Sequence, residues 1–218
     1  MSLGRPVPFC KASPSPCRDG NTLAMRERMP KIGITGLPNV GKTATLAAIC
    51  RKLERDDFIV GGMITRAYRP PPGDKRVGFY VEDWQTGEKE VFASKEFNTK
   101  YKTETDDGVY CVDLDPLERI GVKAIKDAIL DEDVDIIIID EVGKMEMHSE
   151  KFNDAVKLAL DSSKPIIMTL HKKSRNPLLQ DLRRRDDVRI LEVTPVNKNL
   201  LPYKIEKLMK DHLQTTYY

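Results

Sequence analysis

Two clusters of residues have the types and spacing to do chemistry. The first is Gly36-Leu37-Pro38-Asn39-Val40-Gly41-Lys42-Thr43. Its spacing, G-x-x-x-x-G-K-[ST], is that of a loop whose backbone N–H groups cradle phosphates. The two glycines permit a sharp turn and a close approach of backbone to ligand. Lys42 is long enough to reach the β and γ phosphates, and the Thr43 hydroxyl is an oxygen donor suited to Mg²⁺. Asn39 stands where many such loops carry glycine. Asn is the non-glycine residue that best tolerates left-handed backbone, so the loop should still form. Pro38 lacks an N–H, which leaves its neighbours to supply donors. The second cluster is Asp140-Glu141, at the end of the apolar run Ile136-Ile137-Ile138-Ile139. Asp140 is placed to hold Mg²⁺, directly or through water. Glu141 is placed to orient or deprotonate a water beside the γ-phosphate.

These residues need elements that present them together. Lys31-Ile-Gly-Ile-Thr35 reads as a short strand before the glycine loop, and Ala44 to Leu53 reads as a helix after it. Strand, loop and helix N-terminus then form an anion site, because the helix dipole favours negative charge there. A chance match to the loop spacing arises in on the order of one chain per hundred of this length. The required context makes accident rarer still. The run ending at Asp140 reads as a buried parallel strand, and ligands of parallel α/β sheets bind at the carboxyl ends of strands. Thr43 and Asp140 are therefore expected to converge on one metal. They stand in motifs 98 residues apart, counted from Lys42 to Asp140. That gap leaves room for at least one extra strand between the two motif strands.

The remaining elements follow an alternating order. A strand is expected at Phe58–Thr65, then a basic loop from Arg66 to Arg76. A β-hairpin is expected from Val77–Trp84 and Glu88–Ala93 across Gln85-Thr86-Gly87. Residues 94–108 are polar and read as a loop or flap. A short strand Tyr110–Leu114 precedes a helix opened by Asp115-Pro116-Leu117-Glu118, with Asp115 as its cap. Helices at Ser149–Leu160, Pro177–Arg185 and Asn199–Leu213 alternate with strands at Pro165–Leu170 and Val188–Val193. Strands separated by helices predict a three-layer α/β fold with a mostly parallel sheet and one inserted hairpin. Residues 1–29, with Pro6, Pro8, Pro14 and Pro16 and no apolar periodicity, read as a flexible leader. They lack a secretory h-region. Residues 30–218 read as one domain.

The chain of 218 residues carries 36 basic and 34 acidic side chains, a net charge of +2. That balance gives no electrostatic case for a nucleic-acid binder or a membrane-surface protein. The longest apolar stretch is far too short to span a bilayer. Cys10, Cys17, Cys50 and Cys111 form no C-x-x-C pair, and His148, His171 and His212 show no zinc spacing. Cys50 and Cys111 fall in core-like patterns. A reducing, cytoplasmic setting and a monomer are expected.

The stretch Ile138-Ile-Asp-Glu-Val-Gly-Lys-Met-Glu146, with Phe152 beyond it, resembles the signature of a small family of P-loop nucleoside triphosphatases. That family was first described in thermophiles and includes the cancer-related nucleoside-triphosphatase. Gly78-Phe79, Phe92-Ala93-Ser94, Thr169-Leu170-His171, Asn176-Pro177-Leu178, Arg183-Arg184 and Leu191-Glu192-Val193-Thr194 agree with it. The resemblance covers residues 31 to 213. It implies a RecA-like fold and slow Mg²⁺-dependent hydrolysis of ATP, GTP and other nucleoside triphosphates. It also implies nucleotide binding by residues 36–43 and by 136–143, which adds Val142 and Gly143 to the residues named above. The family's acidic residues after its second strand are replaced here by Thr65-Arg66-Ala67-Tyr68, which puts any role of that stretch in doubt.

Weaker candidates remain open. Lys144 is either a phosphate contact or a solvated lysine. Thr169 and His171 are candidate γ-phosphate sensors, with a structural role the better expectation for His171. Arg66, Arg76 and Arg175 are candidate charge stabilisers with no motif to choose among them. Arg183-Arg184-Arg185 reads as a solvated helix end. A GTPase is one alternative, because Asp140-Glu-Val-Gly143 reads D-x-x-G. Its guanine-reading N-K-x-D has only Asn197-Lys198-Asn199-Leu200 as a counterpart. A nucleotide or small-molecule kinase and a nucleotide-operated switch are the others.

Overall fold

A strand with large apolar side chains on both sides must be covered on both faces. In the computed structural model, β7 (Ile136–Val142) meets that requirement. Ile136 and Ile138 point into one core, and Ile137 and Ile139 into another. All four are fully buried. The structure describes residues 29–72, 75–172 and 174–216. The leader expected over residues 1–29 lies outside them except for Met29, as do Cys10 and Cys17.

Ahead of β7 the chain forms β1 (Lys31–Gly36), α1 (Lys42–Glu54), β2 (Val60–Tyr68), β3 (Gly78–Asp83), β4 (Lys89–Ser94), β5 (Tyr101–Thr105) and β6 (Gly108–Val112). A helical stretch then runs through α2 (Leu114–Pro116), a π-helical turn (Leu117–Val122) and α3 (Lys123–Leu130). After β7 come a 3-10 turn (Glu146–His148), α4 (Glu150–Asp161), β8 (Ile166–His171), α5 (Pro177–Arg184), β9 (Val188–Glu192) and α6 (Leu201–Thr216).

The strands of the described residues form one sheet in the order β5-β6-β4-β3-β2-β7-β8-β1-β9. From β2 to β9 neighbouring strands are parallel. From β2 outward to β5 they are antiparallel. One face is packed by α1 and α6 through Leu46, Ile49, Leu53, Ile205 and Met209. The other is packed by the α2–α3 stretch, α4 and α5 through Leu117, Ile125, Phe152, Val156 and Leu179. The result is three layers, helices over sheet over helices. β8 lies between β1 and β7, so a strand does separate the two motif strands.

Two expectations are corrected. Residues 94–108 are not a loop: β5 and β6 pair as a second antiparallel hairpin. The stretch looked loop-like because β5 is an edge strand, and only Thr103 of Tyr101–Thr105 is buried. The helix after β6 is capped by Asp113 rather than Asp115. The Asp113 carboxylate accepts from the backbone N–H of Asp115, and the helix begins at Leu114. Cys50 and Cys111 are buried free thiols, as their patterns suggested.

Candidate active site

The parallel strands end at one level. Gly36 at the end of β1 is in register with His171 at the end of β8, and Leu170 of β8 with Val142 of β7. The β7–β8 register breaks between Ile139 and Val142, where the two acids stand. The glycine loop and the acid pair are therefore brought together by sheet register.

The loop has the conformation its sequence required. Asn39 adopts left-handed backbone at φ 61° and Gly41 at φ 105°. Gly36 is constrained by space: a Cβ there would lie 2.8 Å from the Val193 carbonyl oxygen and 2.9 Å from the Val40 side chain. The start of α1 differs from other helix starts. Side chains of Asp113, Ser149 and Asn176 cap α2, α4 and α5. α1 begins on Gly41 with no side-chain cap and no acid in its first turn. Its first N–H groups lack a side-chain partner, an arrangement that with the helix dipole suits an anion.

Asp140 is fully buried and is held by three threonines from three elements. The Thr43 hydroxyl of α1 donates to its Oδ2 at 2.9 Å and lies 3.2 Å from its Oδ1. The Thr169 hydroxyl of β8 donates to Oδ1. From β2, the Thr65 backbone N–H and hydroxyl approach Oδ2 at 3.4 and 3.5 Å. Burial pushes the Asp140 carboxyl above the ordinary range, opposed by the Thr169 and Thr43 hydroxyls, the Thr65 amide and the Lys42 charge. Glu141 lies 3.5 Å from the Lys42 ammonium. Its carboxyl is pushed up to about 7, first by burial and then by the Asp140 charge, with Lys42 opposing both.

A cleft of about 1150 Å³ opens over these groups. Lys42, Asn39, Thr65, Glu141, Lys144, Glu146 and His171 line it from the parallel side. Arg76, Phe79, Lys95 and the Thr103–Asp107 turn line it from the antiparallel side. Thr43 and Asp140 offer hard oxygens 2.9 Å apart, which suits Mg²⁺. Among the described residues there is no cluster of three or more His, Cys, Asp or Glu for a metal. That is compatible with Mg²⁺, which takes one or two protein oxygens and completes its shell with phosphates and water.

Other expected residues sort clearly. Leu37, Pro38 and Asn39 are exposed at the loop tip, and Val40 packs on the α1 side of the sheet. Ile136, Ile137, Ile138, Ile139 and Val142 do not reach the cleft; their side chains fill the two cores. They form the strand that carries Asp140. Gly143 lines the cleft. Lys144 lines it as an exposed side chain. His171 lines it too, and its buried Nδ1 has no hydrogen-bond partner. Burial and the Lys144, Lys42 and Arg183 charges hold that imidazole below its usual range. Arg183 is not merely solvated, because it donates to the carbonyls of His171, Lys172 and Ser174. Arg185 is likewise engaged, with Asp187 and Asp161. Arg66 pairs with Glu82 at 2.8 Å. Arg175 is exposed.

Two residues were missed. Thr65 fell in the stretch whose role was in doubt, yet the β2–β7 register places it beside Asp140. Glu146 is a third buried carboxyl on the cleft. Burial first, and the Glu141 charge second, push it well above the ordinary range. In the sequence it was one residue of a signature with nothing to mark it as buried.

Comparisons with known proteins match this geometry. A family model described as NTPase matches residues 31–206. Nucleoside-triphosphatase THEP1 of Thermoplasma volcanium is 36% identical over 180 residues, covering 83% of this chain and 97% of that protein. The THEP1 of Methanosarcina barkeri is 37% identical over 185 residues, covering 84% and 99%. The crystal structure of THEP1 from Aquifex aeolicus superposes with a TM-score of 0.69 at 30% identity, over 83% of this chain and 99% of that one. The solution structure of a human cancer-related nucleoside triphosphatase gives 0.67 at 28%, over 84% and 98%. The match runs through both the glycine loop and the acid pair, and on that ground the chain belongs to the NTPase family.

Proposed function

We propose that this protein hydrolyses nucleoside 5′-triphosphates to diphosphate and phosphate, with Mg²⁺ and with low base selectivity. One observation carries the reading: Thr43 meets Asp140 at 2.9 Å while Lys42 meets Glu141 at 3.5 Å. The glycine loop and the acid pair thus face each other across the floor of one cleft. The relatives named nucleoside-triphosphatase support it.

The N–H groups of residues 36–43 and the α1 dipole bind the phosphate chain. Lys42 leaves Glu141 to contact the β and γ phosphates, which frees the carboxylate. Thr43 and Asp140 would hold Mg²⁺, which supplies charge neutralisation on the β and γ oxygens. Glu141 orients a water and accepts its proton. The water oxygen bonds to the γ-phosphorus as the bond to the bridging oxygen breaks, and the diphosphate leaves. Low selectivity fits the loop after β9. Asn197, the counterpart of a guanine-reading Asn, is already bonded to the Thr194 amide and the Glu192 carbonyl. Among the described residues no helix is long and apolar enough to cross a membrane. A monomer working in a reducing cytoplasm suits the buried free thiols.

The test is phosphate release from ATP, GTP, CTP and UTP by the wild type, Lys42→Ala and Glu141→Gln. Lys42→Ala should weaken nucleotide binding. Glu141→Gln should retain binding and cut turnover by about 10²-fold or more. Undiminished turnover in Glu141→Gln removes Glu141 as the base. The size of the cleft favours a second reading, phosphoryl transfer to an acceptor. It predicts product only when an acceptor is added.

A further inference from the structure

Three arginines were open as charge stabilisers, and the structure separates them. Arg66 is spent on Glu82, and Arg175 is exposed away from the cleft lining. Arg76 lines the cleft with only 21% of its side chain exposed. We propose that Arg76 is a catalytic residue supplied within the chain, whose guanidinium contacts the γ-phosphate and stabilises the charge that develops on transfer. This rests on the hydrolase reading above.

The argument is one of preorganisation. A guanidinium that stabilises a transition state is most effective when its geometry is fixed before the substrate arrives. Arg76 is fixed from three sides. Its Nε and Nη2 donate to Asp107 Oδ2 at 3.3 and 3.1 Å. Its guanidinium carbon lies over the Phe79 ring, 4.9 Å from the centroid. Its Nε also lies 3.4 Å from the hydroxyl of buried Tyr110. That hydroxyl donates to the same Asp107 oxygen at 2.6 Å, and Lys95 pairs with Asp107 at 3.4 Å. The backbone beside Arg76 is anchored as well. The Val77 N–H donates to the Tyr68 carbonyl at 3.0 Å, and the Val77 carbonyl accepts from Lys95 N–H at 2.8 Å.

One edge of the fork is thus committed to Asp107. The other edge, Nη1, points across the cleft to the glycine loop, 3.5 Å from the Asn39 side-chain oxygen. That contact is at the long limit for an N–H···O bond, and a phosphate oxygen would replace it with a stronger, charge-assisted one. Arg69 also lines the cleft, but as an exposed side chain. Lys42 reaches the phosphates from the loop side, and Arg76 reaches them from the antiparallel side. Asp107, Tyr110 and Phe79 are then positioning residues.

The experiment compares kcat and nucleotide Kd for wild type, Arg76→Ala, Arg76→Lys and Glu141→Gln, with and without added guanidinium at low millimolar concentration. Arg76→Ala should lose roughly 10²-fold or more in kcat, as removal of such an arginine does elsewhere. Its Kd should change far less than its kcat, because the contact strengthens as charge develops in the transition state. Guanidinium should restore part of the turnover of Arg76→Ala and none of that of Glu141→Gln. Arg76→Lys keeps the charge and most of the stem, so it serves where the alanine variant does not fold. It should still lose about tenfold or more, because lysine lacks the fork. Wild-type kcat in either variant overturns the assignment and leaves hydrolysis by Glu141 standing. If the wild type itself releases no phosphate, the hydrolase reading fails and the assignment fails with it.

Discussion

The two halves of the sheet are built differently and bring different groups to the same cleft. The parallel half is buried on both faces, and β7 carries four consecutive isoleucines with no exposure. Its register and the helix α1 that follows β1 bring Thr65, Thr169 and Thr43 around Asp140. The antiparallel half ends in an edge hairpin, where Tyr101–Thr105 buries one side chain and Val109 is 47% exposed. It contributes Arg76, Lys95 and Asp107 through ion pairs and a cation–ring contact. Asp140 is held where the packing is tightest, and Arg76, Lys95 and Asp107 stand where water still reaches.

The contrast can be broken most forcefully in the core. Ile138→Ala removes a fully buried side chain between β7 and α1, and should cost about 2–5 kcal/mol in urea unfolding. A loss below about 1 kcal/mol would mean that the parallel half is not the rigid part. Next comes the Asp140 cradle. Thr169→Val should reduce turnover by roughly tenfold to a hundredfold and cost about 1–3 kcal/mol of stability, because it leaves a buried carboxylate one donor short. Steady-state kinetics beside a thermal melt would separate the two effects.

The pH dependence sharpens the picture of Glu141. Its carboxyl is raised to about 7 in the folded protein, so below that value it is protonated and cannot accept a proton. The profile of kcat/KM reports the free enzyme and should fall about tenfold per unit below about pH 7, levelling above it. The sign for stability is the reverse. The folded state holds this proton more tightly than the unfolded chain, so the associated stabilisation is present at low pH and lost as pH rises through about 7. A profile centred near the ordinary carboxylate value would remove Glu141 as the titrating base. The smallest effect is expected at the edge. Val109→Thr should change stability by no more than about 0.5 kcal/mol, because the side chain is half exposed.

The motif elements were legible because their signals are local. The glycine loop declares its own turn, with Asn39 left-handed at φ 61°. The isoleucine run declares a strand covered on both faces. The second hairpin was not legible, because an edge strand with one buried residue has no apolar pattern to distinguish it from a loop. Only the resemblance, and no local pattern, points to Ile136 to Ile139 as nucleotide contacts. Burial assigns them to the two cores. Thr65 and Glu146 were invisible as site residues, because their roles depend on which strand and which turn lie beside Asp140 and Glu141.

The sequence by itself determined the two motifs, the order of helices and strands and the chemistry those residues can perform, since each depends on neighbours within a few positions. The tertiary structure alone decided that three threonines converge on Asp140, that Glu146 is buried beside Glu141 and that Arg76 rather than Arg66 faces the glycine loop. Those facts depend on strand order and register, which bring together residues dozens of positions apart, and no short-range pattern records which strand will lie next to which.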